Sequence, residues 1–383
     1  MSMHLLIECA RARPDDAAIR CAAAAVADWN QLLDQAAGHG MAPLLFACLS
    51  RACPDIVPPP VLGRLRERFE AVARTNLKLA AELVRLVALF DRAGIEIVSF
   101  KGPAIAWSLY ESPALRQMSD LDLLVRPADA QRAADLLVAS GCRPACGIDL
   151  RFFRSRRELL LTSPAGVDLD LHLALAPSQF CHALDLDRFW SRLVTVSVAG
   201  PSIRSLAPED LLVFLSVHGA KHFWCSLHWL CDLARLIGRT ALDWDAVMAY
   251  SRARRISRTV SAGLLLAADV LGAAVPAEIL ARARACPRTL RIASRAQLWL
   301  HGRPVPPVTM PFELGFQLSL LERPSDKLRL CWGLLAPGPV DVESLTLPRS
   351  LFPVYYAFRP LRLIAMYSGF AARRVWAGTC HRA

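Results

Sequence analysis

From the start of the chain to about Leu89, apolar residues recur at three- and four-residue spacing, the signature of amphipathic helices. The runs are DWNQLLDQAAGHGMAPLLFACLSRA and LGRLRERFEAVARTNLKLAAELVRLVALFDRAG, separated by the prolines at 58–60, with Gly94 placed to end the second. The pattern then shifts towards period two. IEIVSF is a short β-rich run, followed by Lys101-Gly102-Pro103 and the helix-like AIAWSLYE. RQMSDLDLLV reads as a second strand, and RPADAQRAADLLVASG as a helix with Pro127 near its start and Gly141 at its end. Residues 151–163 suit an extended pairing partner. GVDLDLHLAL alternates strictly, with Asp168, Asp170 and His172 on one face and Leu169, Leu171 and Leu173 on the other. After Pro208 helical patterns return, and from about His301 the chain is rich in Pro, aromatics and Arg. The pattern predicts an α+β fold, a small mixed sheet flanked by N-terminal and C-terminal helical regions. The expected boundaries are 1–89, 90–205, 206–300 and 301–383.

Asp120 and Asp122, one residue apart on a strand, point the same way while Leu121 and Leu123 point the other. Two like charges side by side repel, which suits a solvated edge or a site with a cation between them. If the Asp168/Asp170 strand lies alongside, three carboxylates converge. That is a ligand set for one or two Mg²⁺ ions, with Mn²⁺ as a substitute, and such ions clamp an in-line displacement at phosphorus. Upstream, Gly102 permits close backbone approach and the following helix start favours an anion. His172 shares the acidic face and suits a hydrogen bond to a carboxylate. His218 and His222 have the i, i+4 spacing of a zinc pair, but HGAKH lacks the HExxH glutamate, so core histidines are the favoured reading.

Composition narrows the field. With 54% hydrophobic and 21% charged residues, the 383-residue chain is not disordered and has room for two or three domains. The net charge of +11 is compatible with a nucleotide, nucleic acid, an acidic lipid or another polyanion, and equally with an arginine-rich proteome. The start MSMHLLIECARARPDDAAIR lacks a long apolar core, and the apolar run from Val260 is interrupted by Asp269 and stops at Pro276. The 12 cysteines are scattered in apolar patterns, and Cys142 and Cys146 have no second pair to complete a zinc site. A reduced, cytoplasmic protein is expected. GxSxG and GxxxxGK[ST] are both missing, which removes a serine-hydrolase elbow and a P-loop.

SFKGPAIAWSLYESPALRQMSDLDLLVRPADAQRAADLLVASGCRP, with Asp170-Leu171-His172 and APEDLLVFLSVHGAKHFWCSLHWLCDLARLI, resembles an uncharacterised nucleotidyltransferase family of the DNA polymerase β superfamily. The resemblance implies that Asp120, Asp122 and Asp170 are the catalytic and metal-binding carboxylates, with Asp170 serving or orienting as base and Asp168 in reserve. Lys101 and Gly102 match its turn, Arg116 would contact a phosphate unless it pairs with Asp120 or Asp122, and Ser119 and Lys221 complete the nucleotide-binding set. The superfamily usually has Gly-Ser at the turn where this chain has Gly102-Pro103-Ala104, so Lys101 is the substitute phosphate ligand. The implied activity is Mg-dependent transfer of a nucleoside monophosphate from an NTP to a hydroxyl of a small molecule, sugar, peptide or protein, with release of pyrophosphate. Nucleic acid is not an expected partner. The alternative is a non-catalytic module of the same fold that holds a polyanion or a pathway partner. The tail arginines Arg359, Arg362, Arg373 and Arg374 suit either a peripheral membrane contact or, the favoured reading, a folded helical cap.

Overall fold

The computed structural model describes residues 2–144, 157–175, 184–301 and 310–335, with 337, 341, 344, 345, 347 and 351–365 beyond them. The chain forms two compact units, Met1–Arg303 and Pro304–Ala383.

The first unit begins with five helices: α1 (Ser2–Ala10), α2 (Asp16–Ala24), α3 (Trp29–Gly38), α4 (Ala42–Ala52) and α5 (Pro59–Arg92). Asp15 and Asp28 cap α2 and α3, their carboxylates accepting from the backbone N–H of Ala17 and Gln31. The first helical run of the sequence is broken in two at Gly40, whose φ of +66° ends α3 and turns the chain into α4. Pro59 and Pro60 fit the first turn of α5, where no intrahelical N–H bond is lost. Leu79, Leu83, Leu86 and Phe90 line one stripe of that helix and are buried.

The α/β segment comprises β1 (Ile97–Ser99), α6 (Pro103–Leu109), β2 (Asp120–Val125), α7 (Ala130–Ala139), β3 (Arg143–Pro144), β4 (Glu158–Thr162) and β5 (Asp168–His172). These strands form one sheet in the order β1-β2-β5-β4-β3, with β2 and β5 parallel and every other pair antiparallel. The fold is α+β with a mixed sheet, as the pattern predicts. Of the extended partner expected over 151–163, β4 is its C-terminal part, and 151–156 lie outside the described residues. A helix α8 (Leu186–Ser191) leads to the hairpin β6 (Val194–Ser197) and β7 (Ser202–Ser205). Leu121, Leu123, Leu169 and Leu171 pack on the leucine stripe of α5 and on Ala130, Ala133 and Leu137 of α7. Each such leucine contributes about 1.5–3 kcal/mol by leaving water. One face of the sheet is therefore spent on the core, which leaves the aspartate face for chemistry.

The rest of the unit is helical: α9 (Pro208–Lys221), α10 (Leu227–Arg239), α11 (Trp244–Arg254), α12 (Ser257–Leu271), α13 (Ala277–Arg284) and α14 (Pro287–His301). The apolar run noted from Val260 is α12, buried among α9, α10, α13 and α14. Among the described residues no helix is long and apolar enough to cross a membrane. Cys142 is a free, buried thiol, and Cys146 lies outside the described residues.

The second unit contains α15 (Met310–Leu320), α16 (Pro324–Leu335) and a helix over 354–365, α17. Tyr355 of α17 is buried; its hydroxyl donates to the Leu345 carbonyl and accepts from Leu347 N–H at 3.0 Å.

Candidate active site

The parallel pairing of β2 with β5 sets Asp120 opposite Asp168 and Asp122 opposite Asp170. Because side chains alternate along a strand, both rungs project from the face that α5 and α7 leave uncovered. The inner rung is the richer one. Asp122 is only 4% exposed, and its Oδ1 is met by Lys101 Nζ at 2.5 Å and His172 Nε2 at 2.9 Å. Asp122, Asp170 and His172 each offer a ligand atom, and these atoms lie within 4.8 Å of one another. Asp120 is not a member of that group; its carboxylate accepts from the Ser119 hydroxyl at 3.2 Å. Asp168 is exposed and accepts from the Thr162 hydroxyl at 3.1 Å.

The electrostatics of the carboxyls differ. Burial raises the pKa of Asp170, and the charge of Asp122 adds to it, taking it to about 7. The same two causes raise Asp120. Burial acts upward on Asp122 too, but the His172 hydrogen bond and the Lys101 charge outweigh it and hold the group at about 2. One carboxylate is firmly ionised and two resist ionisation beside it. Such a cluster gains from a further positive charge.

The family model described as uncharacterised nucleotidyltransferase matches residues 25–272. The chain belongs to this family of uncharacterised nucleotidyltransferases. The match takes in the Lys-Gly turn, both acidic strands and α9 to α12, and stops at Gly272, just after α12. A search of curated proteins gives no match.

The turn between β1 and α6 brings Lys101 to the inner rung. Gly102 has φ +55° and ψ −127°, a conformation open essentially to glycine alone, and a Cβ there would stand 3.4 Å from the Asp120 carbonyl oxygen. Pro103 opens α6 and has no N–H, so the turn offers neither the backbone donor nor the hydroxyl of a Gly-Ser turn. Arg116 is committed elsewhere. Its Nε and Nη2 donate to Asp232 of α10 at 2.9 and 2.8 Å, so its hydrogen bonds go to that helix. Tyr110 donates to the same carboxylate at 2.8 Å, and Asn76 holds the Arg116 carbonyl at 2.7 Å. These contacts tie the 110–116 segment to α10 and α5.

Lys221 is exposed in the last turn of α9. His218 and His222 belong to a row of rings that starts at the aspartate cluster. Phe100 meets His172 edge-on at 5.3 Å and Phe214 at 5.2 Å; Phe214 stacks on His218, and His222 stacks on Trp229 at 4.7 Å. Burial lowers both imidazoles, with nearby lysine charges adding, and takes His222 to about 4. They are neutral at physiological pH. Sequence reasoning left His172 out of the ligand set and Asp232 out altogether. Asp232 did leave a signal: an acidic residue among Leu230, Cys231, Leu233 and Ala234 on a buried helix needs a cation.

Proposed function

We propose that the protein is a divalent-cation-dependent nucleotidyltransferase, moving a nucleoside monophosphate from an NTP to an acceptor hydroxyl and releasing pyrophosphate. The supporting observation is the Asp122–Asp170 rung, with His172 in ligand range and Lys101 on the same oxygen. The donor set fits the group that the family implies: two carboxylates that repel each other and one imidazole, clustered within 4.8 Å and buried or half-buried, suit Mg²⁺ or Mn²⁺. Asp122 and Asp170 would hold the ion, with Asp120 or His172 beside them. When bound, the ion supplies neutralisation of phosphate charge.

The remaining work falls to side chains. Lys101 serves as a point charge for a phosphate oxygen, and Gly102 lets the backbone come close to it. Asp170 takes the proton of the acceptor hydroxyl as its oxygen bonds to the α-phosphorus. The bond from that phosphorus to the oxygen bridging to the β-phosphate breaks, and pyrophosphate carries away the electron pair. Phe100, buried against Phe214, meets the His172 ring edge-on and fixes its place at the cluster.

Calorimetric titration of non-hydrolysable ATP, GTP, CTP and UTP analogues, with and without Mg²⁺, tests this reading. Binding that needs the metal and weakens at least about tenfold in Asp122→Asn is the expected result. If folded protein binds none of the analogues, the reading falls and the non-catalytic module takes its place.

A further inference from the structure

Helix α17 of the second unit presents its residues the wrong way round for water. Arg359 and Arg362, three positions apart on one side, turn inward and donate to the fully buried Asp341, each at 2.6 Å. The opposite side carries Val354, Ala357, Leu361 and Ile364, all exposed, the last two at 66%. At a helical repeat these four make a single aliphatic stripe with no charge in it. In an aqueous helix the stripe would be buried and the arginines would face out. Helix α16 adds Leu328 and Trp332, one turn apart and likewise exposed.

We propose that this face of the C-terminal unit seats on an anionic lipid surface, with α17 lying in the plane of the headgroups. Charge selects that occupant. Residues 304–383 carry nine Lys/Arg against five Asp/Glu, and from Arg349 to the end of the chain there are six arginines and no acidic residue. A surface both apolar beneath and negative above answers an aliphatic stripe in a unit whose sequence carries a basic surplus. A second copy of the chain would bring the same positive charge and be repelled. The indole of Trp332 suits the headgroup level, where an apolar body and a polar N–H are both accommodated. No described helix is long and apolar enough to span, so the contact is peripheral.

Flotation of the full-length protein with vesicles tests the assignment, using phosphatidylcholine alone and phosphatidylcholine with phosphatidylserine. Protein should float with the anionic vesicles only, and less as salt rises. Leu361→Glu/Ile364→Glu should cut the floated fraction at least about tenfold while leaving the circular dichroism unchanged, since both sites are already exposed. In Trp332→Phe, the blue shift of tryptophan emission on adding vesicles should shrink. No flotation, or flotation that the double variant leaves intact, overturns the proposal. So does a dimer by light scattering that the double variant dissociates without any vesicle binding.

Discussion

Asp170 is held near neutrality by burial and by Asp122, with a pKa of about 7 in the fold against 3.8 when unperturbed. The folded state holds that proton more tightly than the unfolded state. The associated stability is therefore complete below 3.8 and is lost as pH rises through 7. Asp170→Asn removes the loss. It should stabilise the protein more at pH 8 than at pH 5, by about 1–2 kcal/mol once solvent screening is allowed for. Urea denaturation at the two pH values measures this, and an equal gain at both would contradict it. The buried Arg116–Asp232 pair makes an opposite case. Asp232→Ala strands the guanidinium and should cost about 3–5 kcal/mol, whereas Tyr110→Phe, which removes one hydrogen bond, should cost about 1–2 kcal/mol. Much of the site was legible at this scale, because strict alternation set Asp120 with Asp122, and Asp168 with Asp170 and His172. Alternation cannot say which rungs align. Only the pairing of Asp122 with Asp170 singles out the inner rung and draws His172 into it. The partner of Arg116 was hidden for a similar reason, since nothing local to the loop points to α10.

Among the elements, α9 and the turn after it carry an unusual constraint. Phe223 and Trp224 both have positive φ, and the chain folds back so that the Trp224 indole lies over Gly219. A Cβ at Gly219 would stand 2.4 Å from the indole nitrogen. Gly→Ala in a helix ordinarily stabilises by about 1 kcal/mol. Here Gly219→Ala should instead destabilise by about 2–3 kcal/mol, because a buried ring must move. Thermal melts give the sign directly. Gly102→Ala should also destabilise, by about 1–3 kcal/mol, through the backbone conformation alone. The long helices were readable because their stripes repeat over several turns. The hairpin of β6 and β7 went unseen, as each strand is four residues long and β6 is largely exposed, so neither shows a clear apolar alternation. The split between α3 and α4 was also missed, since apolar spacing continues across Gly40 and only the reversal of φ separates them.

For the whole molecule, two compact units should unfold in two calorimetric transitions. An NTP analogue with Mg²⁺ at about a hundred times its dissociation constant should stabilise the transition of residues 1–303 by about 2.7 kcal/mol and leave the other in place. A shift of both transitions together would mean that the units melt as one. The aspartate rung has a further consequence, for the rate of folding. β2 and β5 are parallel neighbours in space yet are separated along the chain by α7, β3 and β4, a pairing that closes slowly because the loop entropy is lost before the contact forms. At neutral pH that closure also brings Asp122 up to Asp170, so the charges that would recruit the cation oppose the step that builds its site. Refolding should then run faster with Mg²⁺ than without it in the wild type, and Asp170→Asn should refold at one rate in both.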